Sequence, residues 1–221
     1  MQKSKLLRVI LFMSLLCIFW IIYMRFLWGL PHITIFLWHS YLLTIAILFY
    51  LIFKVDIGLR FEKKLLFESI LIGITFGIIG VILEIKIILN YALIFLLRQA
   101  FESEIDLVLH LFKMWFWIGF AEEALFRGVI QTILMMRFPR QIKIYNYQFK
   151  VGTILAGLIF GLVHIINLFG GLPLYYVICQ VIAATAFGIA VGYIYQETRS
   201  IFITSVAHNL ANGITSVIYF L

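Results

Sequence analysis

The sequence predicts an all-α membrane protein built as a polytopic bundle of transmembrane helices. The chain is 64% hydrophobic and only 12% charged, whereas a soluble domain is about half apolar and about a quarter charged. Its mean hydropathy is +1.10, and the apolar residues gather in runs of roughly 20, the length that a bilayer core requires. Three prolines and the lack of a Ser/Gly-rich linker predict a single integral membrane domain over residues 1–221.

The apolar runs define the predicted elements in chain order. Seven runs predict spans at about 6–24, 32–53, 65–83, 107–130, 151–168, 174–196 and 201–220. The first run has a basic start, but its long apolar body and the absence of a small-x-small cleavage site before Arg25 favour a retained span. Stretch 84–106 is short and flanked by charges, so we expect one interfacial or re-entrant helix there. Residues 1–106 would supply the N-terminal spans and 107–221 the core that carries the motifs.

The excess of basic residues indicates contact with membrane lipid and predicts how the chain is oriented in the membrane. The net charge is +7, but Lys and Arg fall between apolar runs, which is typical of loops against anionic lipid rather than nucleic acid. With the N-terminus inside and seven spans, most basic residues lie on the inner side. We therefore expect a multi-pass protein of the cell membrane with membrane lipid as a partner. Cys17 and Cys179 form no CxxC or His/Cys cluster, which argues against a disulfide framework.

Ionisable and amide side chains interrupt three of the later spans, and such residues are functional candidates because their burial in hydrocarbon is costly. They are Glu122, Glu123 and Arg127 in the fourth span, His164 in the fifth, and His208, Asn209 and Asn212 in the seventh. Spacing of i,i+4 places Glu123 with Arg127, and His208 with Asn212, on one helix face each. At about 1.5 Å per residue, Glu122 and His164 lie ~20 Å from the inner span ends, and His208 ~10 Å. The sequence thus predicts one polar layer within the membrane.

Two chemistries suit a carboxylate with two imidazoles and an amide. Glu and two His can hold a divalent metal in an open three-ligand site. Alternatively, Glu and His can activate water directly while the second His and the Asn stabilise an oxyanion. Both chemistries favour hydrolysis of an acyl bond, and the lack of HExxH excludes the usual helical zinc-protease arrangement.

Three short segments carry a resemblance to a known family. EEALFR (122–127), FGLVH (160–164) and HNLAN (208–212) resemble the EExxxR, FxxxH and HxxxN motifs of the CPBP family, the CAAX-protease and bacteriocin-processing (Abi) intramembrane proteases. The resemblance covers roughly the second half of the chain.

The resemblance implies a role for each matching position. Glu122 would be the catalytic carboxylate that activates water, His164 would assist it, and His208 with Asn212 would hold the oxyanion or complete the site. Glu123, Arg127 and Phe160 would support them, with Phe160 beside His164. Glu122, His164 and His208 could hold one divalent metal such as zinc, and a metal-free glutamate mechanism is the alternative.

The other polar and small residues receive structural interpretations. Asn209, Gln180 and Glu68 carry no motif, and His32, His39 and His110 are interpreted as ordinary interfacial histidines. Small-xxx-small pairs are expected to let helices approach closely, and they occur at Gly73/Gly77, Gly157/Gly161 and Gly188/Gly192.

The leading hypothesis is an intramembrane endopeptidase that opens toward the inner side and cuts a membrane-associated peptide or protein. The alternative is a non-catalytic membrane immunity or binding protein against a bacteriocin-type peptide. A transporter or proton relay is a third possibility, but the sequence has no inverted repeat to support it.

Overall fold

The computed structural model describes residues 31–90, 104–169 and 171–217 of the chain. The chain divides into two units, Met1–Trp38 and His39–Leu221, and the candidate site lies in the second. The predicted first span lies outside the described residues, so the single-domain prediction for 1–221 stays a prediction.

Helices make up most of the described part, which also contains one short hairpin. Its helices are α1 (Pro31–Phe53), α2 (Leu66–Asn90), α3 (Glu104–Phe112), α4 (Ile118–Glu123), α5 (Thr132–Arg137), α6 (Val151–Leu162), α7 (Leu174–Thr198) and α8 (Ile201–Ser216). Two π-helical segments, Lys113–Trp117 and Ala124–Gln131, join α3, α4 and α5 into one run, and a 3-10 segment, Val163–Leu168, extends α6. Strands β1 (Gln141–Ile144) and β2 (Tyr147–Lys150) form an antiparallel pair.

Three helices of the described chain are long and apolar enough to cross a membrane: Leu66–Ile85, Val151–Leu168 and Leu174–Thr198. They coincide with the third, fifth and sixth predicted spans, while the prediction of seven spans is not confirmed. The fourth predicted span falls on the π-interrupted run, and the described part of the last one, α8, has 16 residues. Helix α2 continues to Asn90, so residues 84–90 extend the third predicted span rather than starting an interfacial helix. Residues 91–103 of that predicted helix lie outside the described residues.

Glycines set the closest helix contacts, as the small-xxx-small pairs predict. A Cβ added to Gly73 on α2 would lie 2.6 Å from the carbonyl oxygen of Ala207 on α8, closer than real contacts allow. Gly157 on α6 faces Gly188 on α7, where an added Cβ would lie 3.0 Å from the carbonyl carbon of Gly188. These positions let the backbones of α2 and α8, and of α6 and α7, pack directly on each other.

The hairpin between α5 and α6 is a difference from the all-α prediction. Its exposed strands fall in the basic loop that joins two predicted spans. Phe149 and Tyr147 pack against Tyr193 of α7, with ring centroids 4.9 and 5.3 Å apart, and Gln196 donates to the carbonyl oxygen of Gln148. The hairpin is therefore held on the last turns of α7. This contact between distant residues leaves no periodic signal in the loop sequence.

Candidate active site

Glu122 and Glu123 lie in the helical run Glu104–Arg137, next to a segment that departs from α-helical geometry. Glu122 and Glu123 end α4, and the second π-helical segment starts at Ala124. Asn209 of α8 reaches into the first junction, where Gly119 N donates to its Oδ1 at 3.1 Å and its Nδ2 donates to the carbonyl oxygen of Phe116 at 3.1 Å. A π segment leaves backbone groups without their usual α-helical partners. The Asn209 side chain acts as the hydrogen-bond partner of two such groups. The structural interpretation of Asn209 agrees with these contacts.

Glu123 and Arg127 form the ion pair that their spacing predicts. Arg127 Nε donates to Glu123 Oε2 at 2.9 Å, and both side chains are fully buried. The Arg127 guanidinium also lies 5.1 Å from the centroid of the Phe160 ring. Among the described residues, neither Nη1 nor Nη2 of Arg127 finds a hydrogen-bond acceptor. The pair is sealed from solvent, so it cannot itself meet water or substrate.

His208 connects the two glutamates. Its Nδ1 lies 3.0 Å from Glu123 Oε1, and its Nε2 lies 3.7 Å from Glu122 Oε2. Because an ionised carboxylate only accepts hydrogen bonds, Nδ1 of His208 is the donor to Glu123. The rings of Phe160 and Phe187 hold the imidazole from two sides, at centroid distances of 5.5 and 5.3 Å. The buried pair therefore fixes the orientation of His208 and directs its Nε2 edge at Glu122.

Glu122 differs from Glu123 in both exposure and partners. Its side chain keeps 19% of its accessible surface, against 0% for Glu123. Its Oε1 lies 3.1 Å from Nε2 of His39, a buried residue of α1 that is only 6% exposed. Of the two carboxylates, Glu122 is the one that solvent can reach.

His164 and Asn212 lie on the wall of a cavity rather than in direct contact with the glutamates. Nδ1 of His164 donates to the carbonyl oxygen of Phe160 at 3.0 Å, since a carbonyl oxygen only accepts. The two rings are 5.5 Å apart, as predicted for Phe160 beside His164. Among the described residues, His164 forms no ion pair with a carboxylate within 4.0 Å. Within the same residues, the Asn212 amide makes no hydrogen bond, which leaves it available to a ligand.

The cavity has a volume of about 250 Å³ and joins α2, α6, α7 and α8. His164, His208 and Asn212 form one part of its wall, and Glu122 adjoins it through His208. The remaining wall is mostly apolar, with Phe76, Ile79, Leu83, Met114, Ala184 and Phe187. Glu84 and Tyr176 line its far end, where the Tyr176 hydroxyl donates to Glu84 at 2.7 Å.

The direction of the cavity differs from the predicted opening. Tyr176 lies in the first turn of α7, whereas Gln196, near the last turn of that helix, contacts the hairpin. The cavity therefore extends away from the hairpin and its basic residues. The sequence prediction placed the opening on the side of this basic loop, because charge alone contains no information on where side chains leave space.

Glu122, His164 and His208 are the side chains predicted to hold a divalent metal. The chemistry is suitable, since His164 and His208 each donate Nδ1–H to an acceptor and keep Nε2 for another partner, as metal-binding histidines do. Their geometry is not suitable for a metal. In residues 31–90, 104–169 and 171–217, no group of three His, Cys, Asp or Glu side chains converges as a metal site requires. The arrangement fits a carboxylate with separate histidine partners better than a shared metal ligand set.

The structure brings together some of the predicted site residues and adds one. Glu122, Glu123, Arg127 and His208 form a contiguous cluster, and His164 and Asn212 face the adjoining cavity. His39 was interpreted as an ordinary interfacial histidine, and the structure contradicts this by placing it against Glu122. One signal in the sequence could have indicated that His39 is buried. Leu42, Ala46 and Phe49 follow it at helical spacing on one buried face.

Comparison with known proteins bears on the region that carries these motifs. We found no significant match among curated proteins or among solved structures. The family model for type II CAAX prenyl endopeptidase Rce1-like proteins matches residues 104–214, which is half of the chain and contains all three motifs. Together with the apolar helices, this match indicates a membrane protein of a CAAX-type protease family. The chain belongs to the Rce1-like family of type II CAAX prenyl endopeptidases.

Proposed function

We propose that the chain is an intramembrane endopeptidase in which Glu122 activates water to hydrolyse a peptide bond of a membrane-associated peptide or protein. The observation that carries this proposal is the contrast between two neighbouring carboxylates. Glu123 is sealed and paired with Arg127, while Glu122 keeps 19% of its surface and lies beside the cavity. A general base must be reachable by water, so Glu122 is the residue for that role.

The reaction begins when Glu122 takes a proton from water as the water oxygen attacks the carbonyl carbon of the scissile bond. His164 presents Nε2 to the cavity, since its Nδ1–H is held by the Phe160 carbonyl, and this lone pair can accept a hydrogen bond from the same water. When the carbon–nitrogen bond breaks, the proton on Glu122 passes to the leaving amine. One carboxylate thus acts as base and then as acid.

The negative charge on the carbonyl oxygen needs hydrogen-bond donors. Asn212 faces the cavity, and its amide can donate at any pH. His208 already donates Nδ1–H to Glu123, so its Nε2 donates to an oxyanion only when that nitrogen is also protonated. We therefore assign the main oxyanion contact to Asn212 and the second to His208.

The substrate proposal follows from the wall of the cavity. Phe76, Leu83, Met114 and Phe187 make most of it apolar, which suits a peptide segment with apolar side chains delivered from the membrane. A prenylated C-terminus, the substrate type in the family description, also suits apolar walls. These steps involve no metal, and the chelation experiment below tests that choice.

The first prediction concerns Glu122→Gln, a near-isosteric change that removes the base. We expect Glu122-dependent peptide ends to disappear from cells, because general-base catalysis contributes roughly 10²–10⁴-fold in rate. Wild type and variant would be expressed at matched levels, and membrane and secreted peptide termini mapped by mass spectrometry. A farnesylated CAAX peptide and its unprenylated form, incubated with each purified protein, would test the prenyl preference.

Glu68→Gln is the matched control, because Glu68 is an exposed glutamate in the first turn of α2. The Glu68→Gln variant should produce the same peptide termini as wild type. Treatment of the purified protein with a zinc chelator should also leave cleavage unchanged. Loss of activity that zinc restores would replace the metal-free mechanism with a metal-dependent one. Equal termini from wild type and Glu122→Gln, with a retained biological effect, would favour a binding or immunity protein instead.

A further inference from the structure

His39 is a buried histidine of α1 that the family match does not cover. The match spans residues 104–214, and His39 lies 83 positions before Glu122 in the chain. Its Nε2 nevertheless lies 3.1 Å from Glu122 Oε1, and only 6% of the residue is exposed. The site thus includes a side chain from a helix outside the motif-bearing region.

From His39 to the end of α1, the buried positions that follow His39 on its helix face are apolar. Leu42, Ile45, Ala46 and Phe49 follow it at helical spacing and are 5%, 2%, 0% and 1% exposed. A buried polar residue beside such apolar positions is costly unless a partner satisfies it. His39 has such a partner in Glu122, so the stripe brings one hydrogen-bonding group to the carboxylate.

The direction of this hydrogen bond follows from the chemistry of its partners. An ionised Glu122 has only acceptor atoms, so Nε2–H of His39 is the donor to Oε1. The other oxygen, Oε2, lies 3.7 Å from Nε2 of His208. The two carboxylate oxygens therefore have separate surroundings, with Oε1 held by α1 and Oε2 directed at α8.

A glutamate side chain has three rotatable bonds, and an untethered carboxylate could turn away from the water that it activates. Glu123 does not hold Glu122, because its own oxygens are engaged by Arg127 and His208. Holding one oxygen fixes the plane of the group and leaves the other free for the proton transfer.

We propose that His39 is a positioning residue, which holds Oε1 of Glu122 so that Oε2 faces the attacking water. This inference rests on the proposed function. It extends the site to the N-terminal half of the chain and makes α1 part of the catalytic arrangement. It also assigns different tasks to the histidines, since His39 orients the base while His164 and His208 face the cavity.

The test compares two replacements of His39 that differ in one hydrogen-bond donor. His39→Gln keeps an N–H near the position of Nε2, and His39→Leu has a similar volume without a donor. Leu42→Ala is the control, because it weakens the same buried stripe one turn away at an apolar residue that cannot hydrogen-bond to Glu122. Each variant would be assayed with a synthetic peptide that spans a Glu122-dependent cleavage site, and rates would be expressed per folded molecule.

We expect His39→Leu to lower kcat roughly 10- to 100-fold with KM changed less than about twofold, since misplacement of a catalytic group by about 1 Å can cost about 100-fold. His39→Gln should recover most of that loss. Leu42→Ala should lower the melting temperature and the folded yield but leave kcat per folded molecule near wild type. The split between kcat and KM, and the rescue by Gln, are effects that a purely structural histidine would not produce.

Three results would overturn the inference. Wild-type kcat in His39→Leu would show that the hydrogen bond does not position the base. Equal losses of kcat in His39→Gln and His39→Leu, or a comparable loss in Leu42→Ala, would assign the effect to packing of α1. Failure of the proposed function is a separate outcome, since there wild type and Glu122→Gln would produce the same peptide ends.

Discussion

The neighbouring glutamates Glu122 and Glu123 have different surroundings, although they differ by a single position in the sequence. Glu123 faces Arg127 on the buried side of the helix, and Glu122 faces His39 and the edge of the cavity. Successive residues of a helix point about 100° apart, so one can be sealed while the other meets water. The adjacent pair thereby separates the proposed reactive carboxylate, Glu122, from Glu123, which holds the structure.

The Glu123–Arg127 pair supports a prediction on stability. Arg127→Met should destabilise the protein by about 3–5 kcal/mol, because it leaves a fully buried carboxylate without its counter-charge. The double variant Glu123→Leu with Arg127→Met should recover part of this loss, since no charge is then left buried. Denaturant unfolding in detergent micelles would measure both.

Arg137→Met is the control for this pair, because Arg137 is exposed at the end of α5, where substitutions usually change stability by less than about 0.5 kcal/mol. Equal stability of Arg127→Met and Arg137→Met would contradict the structural role of the pair.

Sequence reasoning succeeded at the residue scale where a helix relates residues close in the chain. The i,i+4 spacing predicted the Glu123–Arg127 contact. The depth estimate placed Glu122 and His208 in one polar layer but at heights about 10 Å apart, whereas the two side chains lie 3.7 Å apart. Sequence reasoning failed for His39, whose partner is 83 positions away. A contact at that distance depends on how α1 packs against α4, and hydrophobic periodicity does not encode which helices become neighbours.

At the scale of elements, the helical run from Glu104 to Arg137 departs from a plain transmembrane α-helix. Its π segments, Lys113–Trp117 and Ala124–Gln131, lie on either side of α4, which carries the glutamates. The sequence predicted a continuous span there, since an apolar run looks the same for both helix types. Asn209 from another helix hydrogen-bonds to Phe116 and Gly119 beside the first π segment, and no local pattern in residues 107–130 reveals this contact.

Asn209 and Asn212 support a paired prediction, because they lie three residues apart on α8 and have opposite surroundings. Asn209→Leu should lower the unfolding free energy by roughly 1–3 kcal/mol for each backbone group that it leaves unsatisfied at Phe116 and Gly119. Asn212→Leu should leave stability near wild type and lower kcat, because this amide faces the cavity.

Measuring unfolding and peptide cleavage on both Asn variants would distinguish the two roles. Loss of stability in Asn212→Leu without loss of cleavage would remove this residue from the oxyanion contact.

At the scale of the whole molecule, the charge pattern and the cavity lie at opposite ends of the helices. Arg137, Arg140, Lys143 and Lys150 surround the hairpin, while residues 171–173 carry no basic side chain. The positive-inside rule therefore predicts that the hairpin faces the cytoplasm. The cavity extends the other way, toward the first turn of α7.

This orientation predicts a labelling pattern in intact cells. Tyr145 in the hairpin and Phe169 before α7 are 91% and 86% exposed, so a cysteine at either position should react readily. With Cys17 and Cys179 replaced by Ser, a membrane-impermeant maleimide should label Phe169→Cys in intact cells and Tyr145→Cys only after lysis. Both should react equally in detergent, which controls for reactivity. The reverse pattern would place the hairpin outside and direct the cavity, with Glu84 and Tyr176 at its far end, toward the cytoplasm. The substrate would then reach His164 and Asn212 from the cytoplasmic side, whereas the expected pattern requires a substrate that enters from the outer leaflet.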